Sequence, residues 1–186
     1  MNVNIEKMVA SLKNGEIILH KTDTIWGLGC DASNEKALNR IKEIKERPSD
    51  KSFIILISDI SQLNIYVDKV PDIAWDLVEF AEKPLTVVYP KGKNLPASAL
   101  AEDGSIAIRL VKDVHCKELI YKFGKAIAST SANISGESSP TNFESINEAI
   151  KSKVDFIEHI EGKVPISNPS TIVKLGLNGD FSFIRK

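Results

Sequence analysis

Apolar residues along this chain fall into helical spacings and short continuous runs, and their alternation predicts the order of elements. Ile5, Met8, Val9 and Leu12 share one face over Asn4–Leu12, a helix that Asn14-Gly15 stops. Glu16–His20 is an apolar run short enough for a buried strand, and Lys21–Thr24 breaks it with hydroxyls and one carboxylate. Such loops, at the ends of strands, are where open α/β sheets hold their ligands. Asn34 suits the N-cap of a helix running to about Glu46, with Leu38, Ile41 and Ile44 inward. Phe53–Ile57 is the next strand, and a helix from Pro71 carries Ala74, Leu77, Val78 and Ala81. Leu85–Tyr89 and Ile106–Leu110 read as strands, the second exposing Arg109 at its end. A helix over Lys112–Phe123, a short strand Ala126–Ala128, a polar loop Ser129–Asn142 and a helix Phe143–Ser152 follow. The chain closes with Thr171–Leu175 and Phe181–Arg185, joined through the hairpin signal Asn178-Gly179.

Strands alternating with helices, then a hairpin, predict an α/β fold with a mixed sheet. No repeat, low-complexity tract or linker divides the sequence, so a single domain over residues 1–186 is expected.

Composition narrows the function classes. Hydrophobic residues at 42% and charged residues at 26% describe a soluble globular protein. No apolar run approaches the ~20 residues that cross a membrane, and the N-terminus lacks the basic-then-apolar order of a signal peptide. Cys30 and Cys116 stand far apart, which fits reduced thiols in a cytoplasmic protein. The three histidines are also scattered, so no protein-built metal site is expected. A net charge of −1 argues against a protein whose main task is gripping nucleic-acid phosphates. A small anionic substrate meeting a local group of cations fits better.

Three stretches carry candidate chemistry. Lys45-Glu46-Arg47-Pro48 places two cations at a helix end, where they favour the helix dipole and Pro48 ends the turn. Ser129–Gly136 puts small hydroxyls, an amide and a glycine directly after a strand, a composition able to offer short donors to phosphate oxygens. Gly27-Leu28-Gly29-Cys30-Asp31-Ala32 satisfies the G-x-G-x-x-A dinucleotide pattern. Its context is wrong, because six residues separate it from the preceding strand and no acidic residue follows at the expected spacing of about twenty residues. His115-Cys116 are neighbours without an orienting third group, and read as packing residues on a helix.

Thr22-Asp23-Thr24, Lys45-x-Arg47, Arg109, Ser131-x-Asn133 and Pro169-Ser170-Thr171 stand in an order that resembles the YrdC-like family, the threonylcarbamoyl-adenylate synthases of tRNA modification. The resemblance runs nearly end to end, from Thr22–Ala32 to Phe183-Ile184-Arg185. It lacks the C-terminal domain of the longer members and so looks like the stand-alone form. Two positions depart from the family pattern: Lys21 stands where Pro is usual, and Ser58 where longer members often carry His.

The resemblance implies a twisted mixed β-sheet with helices packed around it and an open ligand cleft. It implies an enzyme, a nucleotidyltransferase that condenses L-threonine, bicarbonate or CO2, and ATP to threonylcarbamoyl-AMP and pyrophosphate, for t6A37 modification of tRNA. Lys45 and Arg47 would be catalytic and, with Ser131 and Asn133, would bind ATP; Ser139 and Arg185 are further ATP-binding candidates. Thr22, Arg109 and Ser170 would hold threonine, with Thr86 lining the same pocket. Trp26 would wall the cleft or pack in the core, the more usual place for Trp. Mg2+ would bridge the phosphates, held by nucleotide and water. Downstream threonylcarbamoyl transferase proteins would take the product, and weak tRNA binding is compatible with the charge. Two rival readings share the fold: a module that binds RNA or a nucleotide without turnover, and a carbamoyl-transfer domain like that fused in hydrogenase-maturation proteins.

Overall fold

The computed structural model describes residues 3–46, 52–159 and 168–186. The elements run α1 (Val3–Lys13), β1 (Ile18–Lys21), β2 (Trp26–Asp31), α2 (Glu35–Ile44), β3 (Ile54–Ile57), α3 (Leu63–Tyr66), α4 (Asp72–Glu79), β4 (Leu85–Tyr89), β5 (Ile106–Leu110), α5 (Val114–Phe123), β6 (Ile127–Ser131), α6 (Glu148–Lys151), β7 (Phe156–Ile157), β8 (Thr171–Leu175) and β9 (Phe181–Arg185). Among the described residues, nine strands form one mixed sheet in the order β7-β1-β2-β6-β3-β5-β4-β8-β9. No helix among them is long and apolar enough to cross a membrane.

Strand residues alternate between the two faces of this sheet, and the faces carry different chemistry. Leu28, Cys30, Ile55, Ile57, Val87, Ile106 and Ile108 point to one face, where α2, α3 and α4 bury Leu38, Ile41, Leu63, Ala74 and Val78 against them. Side chains such as Leu38 and Ile41, fully withdrawn from water, contribute about 1.5–3 kcal/mol each. The other face is covered only in part. There α1 (Ile5, Met8, Leu12) and α5 (Cys116, Leu119, Ile120) pack on Ile18, Leu56 and Ile127. Beyond those helices the same face is open. Within β6 the change comes in one step of two residues, from buried Ile127 under the helices to Ser129 and Ser131, which line an open cavity. Ile54, two residues before Leu56 on β3, does the same.

The helices begin on side-chain caps. Asn34 accepts from the Ala37 N–H (3.2 Å), and Asp113 accepts from that of Cys116 (3.0 Å); each cap is worth about 1 kcal/mol. The end of α2 departs from expectation. The helix stops at Ile44, and Glu46 enters the left-handed region at φ 50°, a conformation costing a non-glycine roughly 1–2 kcal/mol. Glu46 therefore turns the chain before Pro48 is reached; Pro48 itself lies outside the described residues.

Two further elements differ from the sequence pattern. Residues 26–31, to which that pattern assigns no element, are the buried strand β2. Gly27 and Gly29 share one face of it, where an added Cβ would lie 3.0 Å from Ser129 Oγ at Gly27 and 2.9 Å from His20 Nε2 at Gly29. The dinucleotide-like pattern is thus a packing device: Gly29 makes room for the ring of buried His20. The helix expected over Phe143–Ser152 shrinks to Glu148–Lys151, capped by Asn147 (2.9 Å to the Ala149 N–H). Phe143 packs instead on Trp26, with ring centroids 5.2 Å apart.

Candidate functional site

The open part of the sheet is the floor of a cavity of about 400 Å³. Its walls come from the loop after β1, the end of α2, the loop after β6 and the last two strands. Thr22, Lys45, Arg109, Ser131, Asn133, Ser139, Ser170 and Arg185 all line it, so the structure brings together every expected site residue that it describes. Arg47 lies outside the described residues. Among the described residues no aspartate or glutamate lines it, so this described wall is cationic in a chain of net charge −1.

Lys45, the C-cap of α2, is 2% exposed. Its ammonium donates to the backbone oxygens of Ser131 and Asn133, and its own carbonyl accepts from the Ser135 N–H (2.9 Å). The end of α2 and the loop after β6 are therefore tied together through one residue. In that loop the Asn133 amide nitrogen donates to the carbonyls of Ile134 (2.8 Å) and Glu137 (2.9 Å). With the nitrogen committed, the Asn133 side chain presents its oxygen, which is buried and has no hydrogen-bond partner among the described residues.

On the opposite wall, the Thr22 hydroxyl donates to the Ile25 carbonyl (2.7 Å) and accepts from the N–H groups of Thr24 and Ile25 (3.2 Å each). These bonds fold the loop after β1 into a tight turn. Thr22 lines the cavity, but its hydroxyl is already engaged in holding that turn. Arg109 was expected at an exposed strand end and is instead 4% exposed. It faces the cavity from β5, with Nη2 2.9 Å from Asp23 Oδ1 and Nη1 donating to Thr24 Oγ1 (3.1 Å). Sequence reasoning assigned no role to Asp23 or Thr24, although both stand in the motif it singled out.

The third wall is the closing hairpin. Ser170 and Thr86, both buried, share a hydroxyl hydrogen bond of 2.8 Å. Arg185 donates from Nε to the Ser170 carbonyl (2.9 Å), with Nη2 3.4 Å from Ser170 Oγ. Strand alternation would aim Arg185 to the same face as Phe183, which is opposite buried Val173. A bulge in the β8–β9 register, between the pairs Val173–Phe183 and Ile172–Arg185, reverses it and delivers Arg185 to the cavity. Burial, and next the charge of Arg109, lower the affinity of the Arg185 guanidinium for its proton. Arg185 was expected at the nucleotide and Ser170 at threonine; the structure places the two in contact.

Trp26 lines the cavity yet is 4% exposed and packed on Phe143, so its bulk belongs mainly to the core. Behind the cleft, His115 Nε2 lies 2.6 Å from Glu158 Oε1, and Glu158 Oε2 accepts from the Lys21 N–H (2.8 Å). The proline usual at position 21 has no N–H and could not make that bond. Both cysteines are unpaired and buried, and burial pushes their thiols up, away from nucleophilic chemistry.

A mixed α/β sheet with a half-open face, lined by hydroxyls and buried cations, defines a protein that receives a small anionic ligand. The family model for Sua5, yciO and yrdC, described as Telomere recombination, matches residues 10–186. The chain belongs to that family. It is 35% identical over 186 residues to the threonylcarbamoyl-AMP synthase of Wigglesworthia glossinidia brevipalpis, covering 98% of this chain and 93% of that protein. Among solved structures, E. coli YciO superposes with a TM-score of 0.83 at 25% identity, covering 98% of this chain and 88% of that one. P. abyssi Sua5 complexed with L-threonine gives a TM-score of 0.81 at 30% identity, over 92% of this chain and 50% of the other.

Proposed function

We propose that this protein is a threonylcarbamoyl-AMP synthase, which joins L-threonine, bicarbonate and ATP and releases pyrophosphate. The observation that carries the reading is one cavity holding Lys45 and the loop after β6 on one side and Arg109 and Ser170 on the other. The threonine amine attacks the bicarbonate carbon and, with loss of water, becomes a carbamate. A carbamate oxygen then attacks the α-phosphorus, and the bond to pyrophosphate breaks.

The work asked of the protein is positioning and charge stabilisation, since neither step needs a protein nucleophile. Lys45, held by two carbonyls, supplies a fixed ammonium on the nucleotide side, with Ser131, Asn133, Ser139 and, outside the described residues, Arg47. Arg109 takes the threonine carboxylate on its planar fork, beside Thr22 and Ser170. Arg185 stands at the join, suited to the oxygens of the carbamate or α-phosphate. Among the described residues no carboxylate lines the cavity, so a Mg2+ accompanying ATP would be held by phosphate and water. The product then passes to a threonylcarbamoyl transferase acting on tRNA.

Pyrophosphate release measured with ATP in the presence and absence of L-threonine and bicarbonate tests the reading. Release is expected only when both are present; ATP turnover indifferent to threonine would sink it.

A further inference from the structure

Asp23 is 8% exposed in its side chain and sits 2.9 Å from Arg109, itself 5% exposed. It does not line the main cavity; it lines a second, smaller one of about 170 Å³ with Leu85, Leu110 and Lys112. The pair therefore stands as a partition: Arg109 faces the ligand cavity, and Asp23 grips the guanidinium from behind. Thr24 holds the other terminal nitrogen at 3.1 Å. We propose that Asp23 is a positioning residue for substrate carboxylate recognition, fixing the plane and direction of the Arg109 fork without touching the substrate. The inference rests on the synthase reading and deepens it.

Three features support it. Arg109 has one terminal nitrogen in an ion pair with Asp23 and the other in a hydrogen bond to Thr24, so part of its ordering cost is met before the ligand arrives. A buried guanidinium without a counter-charge would be expensive, and Asp23 is the carboxylate within ion-pair distance of it among the described residues. The turn that carries Asp23 is itself held by three hydrogen bonds of the Thr22 hydroxyl, one donated and two accepted, so the carboxylate has a rigid base. Burial, opposed by Arg109 and reinforced by Asp113, holds the Asp23 carboxyl above the usual aspartate range.

The test is steady-state pyrophosphate release by Asp23→Asn, which keeps size and polarity and loses the charge. KM for L-threonine should rise at least about 10-fold, with kcat and KM for ATP close to wild type, while the melting temperature falls because the buried guanidinium loses its counter-charge. Asp23→Glu, whose extra length the second cavity can accept, should return KM for threonine to within about threefold of wild type, and keeps the test open should the Asn form melt below assay temperature. An unchanged KM for threonine, or both KM values and kcat falling away together, overturns the positioning role. Wild-type turnover without threonine would overturn the synthase reading, and this inference with it.

Discussion

Replacing Lys45 with alanine separates the structural job of this residue from the catalytic one proposed for it. The side chain is almost wholly buried and donates to the backbone oxygens of Ser131 and Asn133. Truncation leaves two carbonyls without their donor, at about 1–3 kcal/mol each when nothing replaces it. Both lie beside an open cavity, so water recovers part of the loss, and about 2 kcal/mol overall is the working figure. At roughly 2–4 °C per kcal/mol for a chain of this size, the melting temperature should fall by about 4–8 °C. The catalytic loss is separate: removing a preorganised cation worth at least about 1.4 kcal/mol in the transition state slows turnover at least about 10-fold. Pyrophosphate release at saturating substrates, well below the variant's melting temperature, measures the second effect without the first. A lowered melting temperature with an undiminished rate would reduce Lys45 to a loop tether and refute the placement of the nucleotide site.

Gly29→Ala puts a methyl 2.9 Å from His20 Nε2 and 3.2 Å from Ile127 Cγ2, and overpacking of this kind costs about 1–3 kcal/mol; a melting temperature equal to wild type would contradict the packing role given to that glycine. Burial holds His20 down to about 4, against the opposing charge of Glu158. In the unfolded chain the imidazole takes its proton near 6.5, so stability should drain as pH falls from 6.5 towards 4, by about 3 kcal/mol in all. His115 has the opposite sign: its hydrogen bond to Glu158 raises it, so its contribution is present at low pH and lost as pH rises through the folded value. Denaturant titrations of His20→Leu should show a flatter acid limb than wild type, and parallel limbs would count against the assignment.

Much of the frame was legible in the sequence because local patterns suffice for it. Leu85–Tyr89, Ile106–Leu110 and the closing hairpin were found at their observed bounds, since each is a short run rich in aliphatic or aromatic residues. Strand β2 was missed because two glycines obscure strand propensity, and their reason is a ring on the neighbouring strand, His20, that no local pattern reveals. Strand β6 was expected to end at Ala128 and continues to Ser131. Hydroxyls look like loop until the sheet shows them to be strand residues facing an open cleft. Which residues share the cavity wall was readable from the order of the motifs. Its internal wiring was not: that Asn133 spends its amide nitrogen on the loop, or that Asp23 stands behind Arg109, follows from contacts between distant segments.

The β8–β9 bulge that turns Arg185 towards the cavity also bears on how the chain comes to life. Residues from positions 22 and 185 must meet before the cleft is whole, and such non-local pairing is the slow part of folding. A chain emerging from the ribosome can pair β1, β2, β3, β5 and β6 and bury much of its core while the third wall is still unmade. The cleft becomes complete only when the final hairpin docks against β4. A half-made chain thus holds a sheet but no finished site, and ATP turnover should begin late, with the pairing of the last strand.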